Sequence, residues 1–412
     1  MRSRRRQIAV LGGGGAGSCA ALEISKHGHG VDIYEQDATP VMRASRVNEG
    51  KIHLGFLYAN DVSKRTAAIM ARSALAFGEC MSRWLDLTPE DLVLSTPFLY
   101  AVHRDSLLTA DQLRRHYADC CVQVTALQES HGLTYLGTRE PPSFRELTID
   151  EIEAVLDPRH FATVFWTSER AVDPRVIASR LRAAVLDAPL ITFRGRSHVS
   201  GLERDAQSRF HVVLDDGTKE GPYDQVINAL WSGRLAIDRL MGLEPSRSWI
   251  HRHKFGSRIT LPLTPRQLPS VTMVLGPFGD IVNFGPNGMY LSWYPIGMVD
   301  TSSDLQPARG WTDVDAAFRR DIFRRSLAEW VRYCPMLGDL AFDDADVDPA
   351  SGVIFAWGST DIDDPHSELH ERFSIGVRSV DGYHSLNTGK YTTMPYLALK
   401  TAHRVLEIPS AA

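Results

Sequence analysis

Long apolar runs are missing from this sequence of 412 residues. It has no stretch of about 18 consecutive apolar residues, so we expect no membrane span. A basic excess is missing too, because 45 Lys and Arg residues stand against 50 Asp and Glu residues, a formal net charge of −5. This balance argues against nucleic acid as a partner. A composition of 43% apolar and 23% charged residues is typical of a globular protein with a large core, and we expect small-molecule partners.

Cysteine is scarce, and its five positions are Cys19, Cys80, Cys120, Cys121 and Cys334. An odd number with two adjacent members builds no disulfide framework, and no Cys-x-x-Cys spacing indicates a metal or redox site. We therefore expect no bound metal and a reducing, cytoplasmic location. The alternative is that the arginine-rich start and the apolar run after it form an export signal, or that Cys19 is lipidated. Ala16 argues against lipidation, since such sites prefer a larger aliphatic residue three positions before the cysteine.

A glycine-rich turn, Gly12-x-Gly14-x-x-Gly17, follows a predicted strand over 7–11 and precedes a predicted helix. In a dinucleotide-binding βαβ unit the first glycine permits a tight turn, the second lets the backbone approach a pyrophosphate, and the third lets helix and strand pack closely. The helix start offers free N–H groups to the phosphates. Glu35, 18 residues after Gly17, would accept the ribose hydroxyls of either NAD or FAD. The predicted cofactor-binding residues of this unit are Gly12, Gly14, Gly15, Ala16, Gly17, Glu35 and Gln36.

Helical and strand-like patterns alternate along the rest of the chain. Apolar residues at three- and four-residue steps predict helices near 67–84, 113–127, 173–184 and 314–330. Strand-like stretches are found at 190–193, 210–214, 225–228, 258–261, 271–275, 289–294 and 353–357. The closely spaced strands after residue 247 favour a mainly antiparallel sheet. We therefore predict an α/β fold in which a Rossmann-like domain is interleaved with an antiparallel-sheet substrate domain of α+β type.

Four segments carry a family resemblance: the glycine turn, ASRVNEGKIHLG at 44–55, VDP at 172–174 leading to VINALWS at 226–232, and NTGKYTTMP at 387–395. In this order they resemble the D-amino acid oxidase-like superfamily of FAD-dependent oxidoreductases, which includes glycine and sarcosine oxidases and FAD-linked glycerol-3-phosphate dehydrogenase. The match is imperfect at Leu230, where the family usually has glycine. The resemblance implies FAD as the cofactor, with contacts from Ser45, Arg46, Asn48, Lys51, Ile52, His53, Val199, Ala229, Trp231, Gly389, Lys390, Tyr391 and Thr392.

The same resemblance sets the expected domain boundaries. The FAD-binding domain takes residues 1–95, 166–246 and 353–412, and the substrate domain takes residues 96–165 and 247–352. Lys390 lies before the last predicted helix, whose free N–H groups would stabilise the negative charge of a reduced flavin. The lysine would add a full positive charge there.

Four residues are predicted to act in catalysis: His53, Arg258, Tyr290 and Tyr294. The resemblance places His53 close to the reactive edge of the flavin or makes it a covalent flavin anchor, the alternative being a hydrogen-bonded loop histidine. Alternation over 289–294 predicts that Tyr290, Ser292 and Tyr294 share one face. Arg258, in an otherwise apolar strand, needs an anionic or hydrogen-bonded partner if it points inward.

The substrate is restricted by what is missing near the C-terminus. In amino-acid-oxidising relatives a Trp-x-Gly-like stretch leads into an Arg-Pro pair, and the arginine binds the substrate carboxylate. This chain has Ser359 and Thr360 there, so simple amino acids are expected to be poor substrates. Arg258 and Arg378 are the candidates to replace the missing arginine.

We expect an FAD-dependent oxidoreductase that removes a hydride from a carbon bearing an amine. The alternatives are oxidation of a carbon bearing hydroxyl, a flavin monooxygenase, and a nucleotide-binding scaffold without catalysis. Molecular oxygen or an electron-accepting partner would receive the electrons. A monooxygenase would use NAD(P)H, and the sequence has no second dinucleotide fingerprint.

Overall fold

The computed structural model describes residues 6–260, 268–341, 343–361 and 364–409. The arginine-rich residues 1–5 and Leu261 lie outside these ranges. The α-helices within them are α1 (Gly15–Lys26), α2 (Arg65–Trp84), α3 (Ala110–His131), α4 (Ile149–Glu153), α5 (Pro174–Asp187), α6 (Arg234–Leu240), α7 (Tyr294–Gly297), α8 (Ala316–Tyr333) and α9 (Met394–Leu406). The strands are β1 (Gln7–Leu11), β2 (Gly30–Tyr34), β3 (Lys51–Ile52), β4 (Phe98–His103), β5 (Phe144–Glu146), β6 (Phe161–Thr167), β7 (Arg170–Ala171), β8 (Ile191–Arg194), β9 (Val199–Arg204), β10 (Phe210–Leu214), β11 (Lys219–Tyr223), β12 (Gln225–Asn228), β13 (Trp249–Ile259), β14 (Ser270–Met273), β15 (Gly279–Asn283), β16 (Met289–Trp293), β17 (Met298–Ser302), β18 (Val347–Trp357), β19 (Gly376–Val380) and β20 (Tyr383–Asn387).

The first sheet has the strand order β19-β20-β12-β1-β2-β8. Its strands are parallel except β19, which pairs antiparallel at one edge. Ile8 and Val10 of β1 pack in one core with helices α1, α5 and α9, whereas Ala9 and Leu11 pack with α6 and the small sheet β9-β10-β11 on the opposite face. Because both faces are covered, the central strands are almost entirely apolar.

The second sheet contains the order β17-β13-β16-β15-β14-β4-β6-β5, and β18 pairs along the whole of β13. All neighbouring pairs are antiparallel except β4 and β14. Met289 and Leu291 of β16 pack on one face with Trp330 of α8. Tyr290, between them in sequence, points to the opposite face and joins the core that includes α1 and α9. The second sheet therefore lies between α8 and the layer that covers the first sheet.

The α/β fold with an antiparallel second sheet confirms the predicted class, while several bounds differ. The stretch expected at 258–261 is the end of the much longer β13. Strand β16 ends at Trp293, so Tyr294 begins α7 instead of continuing the alternation with Tyr290. Strand β18 crosses the domain boundary expected at 352, and the domain boundaries stay predictions. Among the helices of the described ranges, none combines the length and apolar character that a membrane crossing requires.

A short ribbon of β3 and β7 connects the two sheets. The carbonyl of Gly50 accepts the N–H of Val172 at 2.9 Å, just before α5, which packs against the first sheet. On the other side, the carbonyl of Glu169 accepts the N–H of Phe98 at 3.0 Å, where β4 enters the second sheet. The segment before and after His53 is therefore held where the two sheets meet.

Candidate active site

The glycine turn between β1 and α1 has the geometry that its spacing predicts. Gly12 takes a φ of +96°, and a Cβ on Gly17 would lie 1.9 Å from the Gly12 carbonyl oxygen, so both positions require glycine. Glu35 follows β2 directly and accepts the N–H groups of Gly13 at 2.8 Å and Asp37 at 3.0 Å. Burial raises the pKa of Glu35 above its ordinary value. The carboxyl group is therefore fixed beside the turn.

The start of α1 has free hydrogen-bond donors. The N–H groups of Gly14, Ala16 and Gly17 make no hydrogen bond to the described part of the chain, and the first helical turn carries no acidic side chain. Gly15 donates its N–H to Ser45 Oγ at 3.1 Å. Among the described residues other than its chain neighbours, a Cβ on Gly14 would meet only that same Ser45 oxygen, at 3.9 Å. Free donors at the positive end of a helix dipole, beside an unobstructed glycine, fit a pyrophosphate.

The segment 44–55 is held by its own turns and by the second sheet. Asn48 closes a turn, since its Oδ1 accepts the Gly50 N–H at 2.8 Å. Lys51 is buried, and its Nζ donates to Thr272 at 2.5 Å and forms an ion pair with Asp280. The ammonium predicted to bind the cofactor is therefore already paired within the protein. The backbone carbonyl of Lys51 accepts a hydrogen bond from Thr392 Oγ1 at 2.9 Å, in the turn before α9.

The backbone after β12 touches the glycine turn. Ala229 donates its N–H to Leu11, and its carbonyl oxygen lies 2.6 Å from where a Gly12 Cβ would be. The backbone at Ala229 therefore lies close to the glycine turn, even though Leu230 replaces the glycine of the family pattern. Trp231 takes a φ of +56°, which is rare for a bulky residue, and its Nε1 donates to the Val353 carbonyl at 2.6 Å.

The remaining predicted cofactor residues differ in exposure. Gln36 is exposed, Ile52 is buried with its carbonyl bound by the Tyr135 hydroxyl at 2.7 Å, and Val199 is buried at the start of β9. Arg46 lines a small cavity together with Arg258 and Tyr290.

The turn before α9 lies beside the segment that carries His53. Gly389 takes a φ of +67°, and a Cβ there would lie 2.6 Å from the Ile375 side chain. Tyr391 and Thr392 make no hydrogen bond through their N–H groups within the described ranges, and the hydroxyl of Tyr391 is buried without a partner. Helix α9 begins only at Met394, so these donors precede its first turn.

His53 is buried, with 2% of its surface exposed, and is fixed on two sides. Its N–H donates to Thr392 Oγ1 at 3.0 Å, and its Nδ1 is hydrogen-bonded to Glu169 Oε1 at 3.1 Å. Glu169, which is wholly buried, also accepts the Leu54 N–H at 2.7 Å and the Tyr100 hydroxyl. Nε2 of His53 makes no hydrogen bond to the described residues. The ring is thus oriented by a buried carboxylate and keeps one nitrogen available.

Arg258 points inward, and its charge has a partner in the protein. Its Nη2 forms an ion pair with Asp173 and donates to the Asn287 carbonyl at 2.7 Å. Burial lowers the pKa of this arginine below its ordinary value. Arg258 therefore links β13 to the start of α5, and its catalytic assignment stays a prediction.

The two predicted tyrosines have different surroundings. Tyr290 crosses over Gly256 of β13, where a Cβ would lie 2.2 Å from the phenol oxygen. Tyr294 donates its hydroxyl to Asp361 at 2.8 Å and accepts a hydrogen bond from Arg252. Burial raises the pKa of Tyr294 to about 12, so it is a neutral phenol at physiological pH.

Three basic residues interact with Tyr294, and a fourth, Lys390, interacts with the charges of these three. We call the four the cation cluster: Arg252, Lys254, Arg372 and Lys390. Arg252 and Lys254 are on the same face of β13, and Lys254 Nζ lies 5.4 Å from the centroid of the Tyr294 ring. Burial, followed by the charge of Arg252, lowers the pKa of Arg372 to about 9. Burial and the charge of Arg372 lower the pKa of Lys390 to about 7, although Glu49 opposes this effect.

Most of this cluster, together with Glu169, was not predicted from the sequence. One signal was available, because the stretch HRHKFGSR at 251–258 has basic residues at alternate positions of a strand. Of these residues, only Arg258 was predicted to act in the site. Nothing in the sequence indicates that Glu169 meets His53 or that Arg372 meets Lys390, since both contacts depend on the tertiary fold.

A family profile described as DAO, FAD dependent oxidoreductase, matches residues 7–369. The chain belongs to this family. Its cofactor is FAD, and it is an enzyme, an oxidase or a dehydrogenase. The free N–H groups of α1, the buried Glu35 and the donors before α9 are compatible with that cofactor.

Solved structures with the same fold cover almost the whole chain. Iminodiacetate oxidase from Chelativorans sp. BNC1 is 16% identical, with a TM-score of 0.64 and coverage of 98% of this chain and 96% of that one. Glycine oxidase from Geobacillus kaustophilus is 16% identical, with a TM-score of 0.65 and coverage of 99% and 96%. L-alpha-glycerophosphate oxidase from Mycoplasma pneumoniae, with FAD bound, is 14% identical, with a TM-score of 0.65 and coverage of 98% and 95%. No curated protein matches the chain by sequence comparison.

Proposed function

We propose that this DAO-family enzyme removes a hydride from a carbon bearing an amine and releases an imine. The observation that carries the proposal is His53, held between Glu169 and Thr392 with Nε2 available. An alkylammonium group has a pKa of about 10, whereas that of an alcohol is nearer to that of water, about 16. A histidine nitrogen oriented by a carboxylate is therefore better suited to accept the ammonium proton than the alcohol proton. Oxidation of a carbon bearing hydroxyl is the second candidate.

FAD supplies the hydride acceptor when bound, and the chain supplies position and charge. The free N–H groups of Gly14, Ala16 and Gly17 would hold the pyrophosphate, and Glu35 the ribose. The turn 389–392 would face the flavin ring. His53 would accept a proton from the substrate ammonium at Nε2, which leaves the nitrogen lone pair to form the imine as the hydride leaves the carbon. The electrons would then pass to oxygen or to an electron-accepting partner, in a cytoplasmic setting.

The test is anaerobic mixing of the flavin-loaded enzyme with amines and with hydroxy compounds of the same carbon skeleton. We expect the amines to bleach the oxidised flavin band faster. His53→Gln should slow bleaching by about 10²-fold or more, the range of general acid–base catalysis, without loss of bound flavin. His131→Gln, an exposed change at the end of α3, is the matched control. Faster bleaching by the hydroxy compounds would favour alcohol oxidation, and fastest bleaching by NADH would favour a monooxygenase.

The same preparations test the covalent role of His53. Flavin that stays with the protein after acid precipitation, and that is released from the His53→Gln variant, would support a covalent bond. Release of flavin from the unmodified enzyme would exclude it.

A further inference from the structure

Glu169 is a buried carboxylate whose hydrogen bonds come from three different neighbours. It lies between β6 and β7 with none of its surface exposed. Its Oε2 accepts the Leu54 N–H at 2.7 Å, while its Oε1 is shared by the Tyr100 hydroxyl and by Nδ1 of His53, which lies 3.1 Å away. Within the described ranges no lysine or arginine forms an ion pair with Glu169. A buried carboxylate needs such contacts, so these neighbours decide where the protons lie.

Two of these neighbours donate to the carboxylate. The backbone N–H of Leu54 can only donate. Burial, followed by the charge of Glu169, raises the pKa of Tyr100 well above its ordinary value, so this hydroxyl keeps its proton and donates as well. An ionised carboxylate accepts hydrogen bonds and cannot donate one, so its third contact is with the Nδ1–H of His53. In a neutral imidazole this leaves the lone pair on Nε2.

The other side of the His53 ring does not determine which nitrogen carries the proton. Nε2 makes no hydrogen bond to a residue of the described chain. The ring of Tyr58 packs edge-on against the imidazole, with 5.2 Å between the two ring centroids, and this contact has no preference for either tautomer. Thr392 holds only the backbone N–H of His53. The tautomer of His53 therefore depends on Glu169.

We propose that Glu169 is a positioning residue that keeps the His53 proton on Nδ1, so that Nε2 can accept the proton of the substrate ammonium. This inference rests on the proposed function, in which His53 is the base. The transferred proton passes from the substrate nitrogen to Nε2, while the proton on Nδ1 stays on the ring and Glu169 stays ionised. The carboxylate then lies beside the imidazolium and stabilises its positive charge, as the aspartate of a Ser-His-Asp triad does.

The variant Glu169→Gln reverses the tautomer without changing the size of the side chain. An amide has an oxygen that accepts and an NH2 group that donates. Because the Leu54 N–H needs an acceptor, the amide oxygen takes the place of Oε2, and the NH2 group takes the place of Oε1. The NH2 group then donates to the Tyr100 hydroxyl oxygen and to Nδ1 of His53, which moves the His53 proton to Nε2. All contacts of the buried group are kept, but the nitrogen that should accept a proton already carries one.

Nitrogen NMR of the flavin-loaded, substrate-free enzyme with isotope-labelled histidine measures the tautomer directly. The His53 signals are those that disappear in His53→Gln. We expect the proton on Nδ1 in the unmodified enzyme and on Nε2 in Glu169→Gln. Tyr100→Phe removes a hydrogen bond from the same carboxylate but not its charge, so its proton should stay on Nδ1. A proton on Nε2 in the unmodified enzyme, or on Nδ1 in Glu169→Gln, would overturn the inference.

Anaerobic bleaching by an amine tests whether Glu169 acts through His53. Glu169→Gln should lower the limiting bleaching rate about 10²-fold or more, as His53→Gln does, with little change in the Kd of the amine or in flavin content. The double variant should be no slower than the slower single variant, because both changes remove the same base. Glu79→Gln, an exposed change on α2, should bleach like the unmodified enzyme. A double variant that is slower by the product of the two single effects would contradict the inference.

Failure of the inference differs from failure of the proposed function. The expected tautomers, together with no bleaching by any amine, would leave the pairing of Glu169 and His53 in place and remove amine oxidation. Bleaching by amines in an enzyme that carries the His53 proton on Nε2 would do the reverse.

Discussion

Single glycines in the α1 turn have separable roles, which makes one of them a clean test of cofactor binding. Gly17 cannot carry a side chain, since the Gly12 carbonyl would lie 1.9 Å from its Cβ. Gly14, in contrast, has an ordinary φ of −67°, and among the described residues other than its chain neighbours the atom nearest to the position of a Cβ there is Ser45 Oγ, at 3.9 Å. A side chain at Gly14 is therefore compatible with folding and would occupy only the position expected for the pyrophosphate.

We expect Gly14→Val to fold normally and to bind FAD about tenfold or more weakly, equivalent to at least about 1.4 kcal/mol. Flavin content after purification and the Kd for added FAD measure the effect, and the melting temperature of the FAD-free protein checks the fold. Val62→Ala, at a residue that is 94% exposed, is the control. Unchanged flavin content in Gly14→Val would contradict the assignment of the turn.

For single residues, the sequence predicts the positions that are fixed by local backbone geometry. The glycine turn and Glu35 follow from spacing along one βαβ unit. Partners of buried charges do not follow in the same way, because Lys51 and Asp280 are 229 residues apart and Arg258 and Asp173 are 85 residues apart. Such pairs depend on the tertiary fold, so the paired state of Lys51 was not predictable.

Among the elements, helices α1, α2 and α9 meet at one buried carboxylate. Glu23 of α1 accepts hydrogen bonds from Arg83 at 2.7 Å and Trp84 at 2.8 Å on α2, and is hydrogen-bonded to His403 of α9 at 3.2 Å. The oxygen and the imidazole nitrogens of Glu23, His27 and His403 lie within 4.8 Å of one another, close enough for a metal. Arg83 and Trp84, however, already donate to both carboxylate oxygens, which favours a structural role.

The stability that Glu23 provides should depend on pH. Although burial opposes ionisation, hydrogen bonds from Arg83, Trp84 and His403 lower the pKa of Glu23 to about 2. A carboxyl pKa that is lower in the folded state contributes stability above its unfolded value of about 4.5 and loses that contribution as the pH falls toward 2. We expect Glu23→Gln to lower the free energy of unfolding by about 1–3 kcal/mol at pH 7, and by progressively less below pH 4.5.

Urea unfolding at pH 7, 4 and 3 measures this difference. Glu79→Gln, an exposed change on α2, should leave the unfolding midpoint nearly unchanged at each pH. If the loss of unfolding free energy in Glu23→Gln is the same from pH 7 to pH 3, the carboxylate charge is not its source.

Helices and strands were predicted well where one hydrophobic period or capping pattern runs through the element. They were predicted poorly where basic residues interrupt the apolar pattern. The amphipathic period of α2 predicts its core face, and Asp173 with Pro174 predicts the start of α5. The extent of β13 was missed, because its first half carries His and basic residues that do not look like a strand interior. Those residues belong to the strand because β18 pairs along its entire length and β17 pairs with its first half.

For the whole molecule, the sequence predicts the α/β class but not how distant segments pair. Strands β4, β5 and β6 join β13–β16 in one sheet although more than 80 residues separate them from β13. The residues proposed for FAD are similarly dispersed, at the start of α1, in segment 44–55 and in the turn before α9. Binding of the cofactor should therefore stabilise contacts between both sheets rather than one local unit.

We expect added FAD to raise the melting temperature of the FAD-free protein, because a ligand at 100 times its Kd stabilises the folded state by about 2.7 kcal/mol. FMN offers the flavin but lacks the adenosine and one phosphate, so it leaves Glu35 and part of the α1 start without a ligand. It should therefore give a clearly smaller shift than FAD at the same concentration, and in Gly14→Val the advantage of FAD over FMN should disappear. Differential scanning calorimetry measures both shifts. An equal shift by FMN and FAD in the unmodified protein would show that the glycine turn does not bind the dinucleotide.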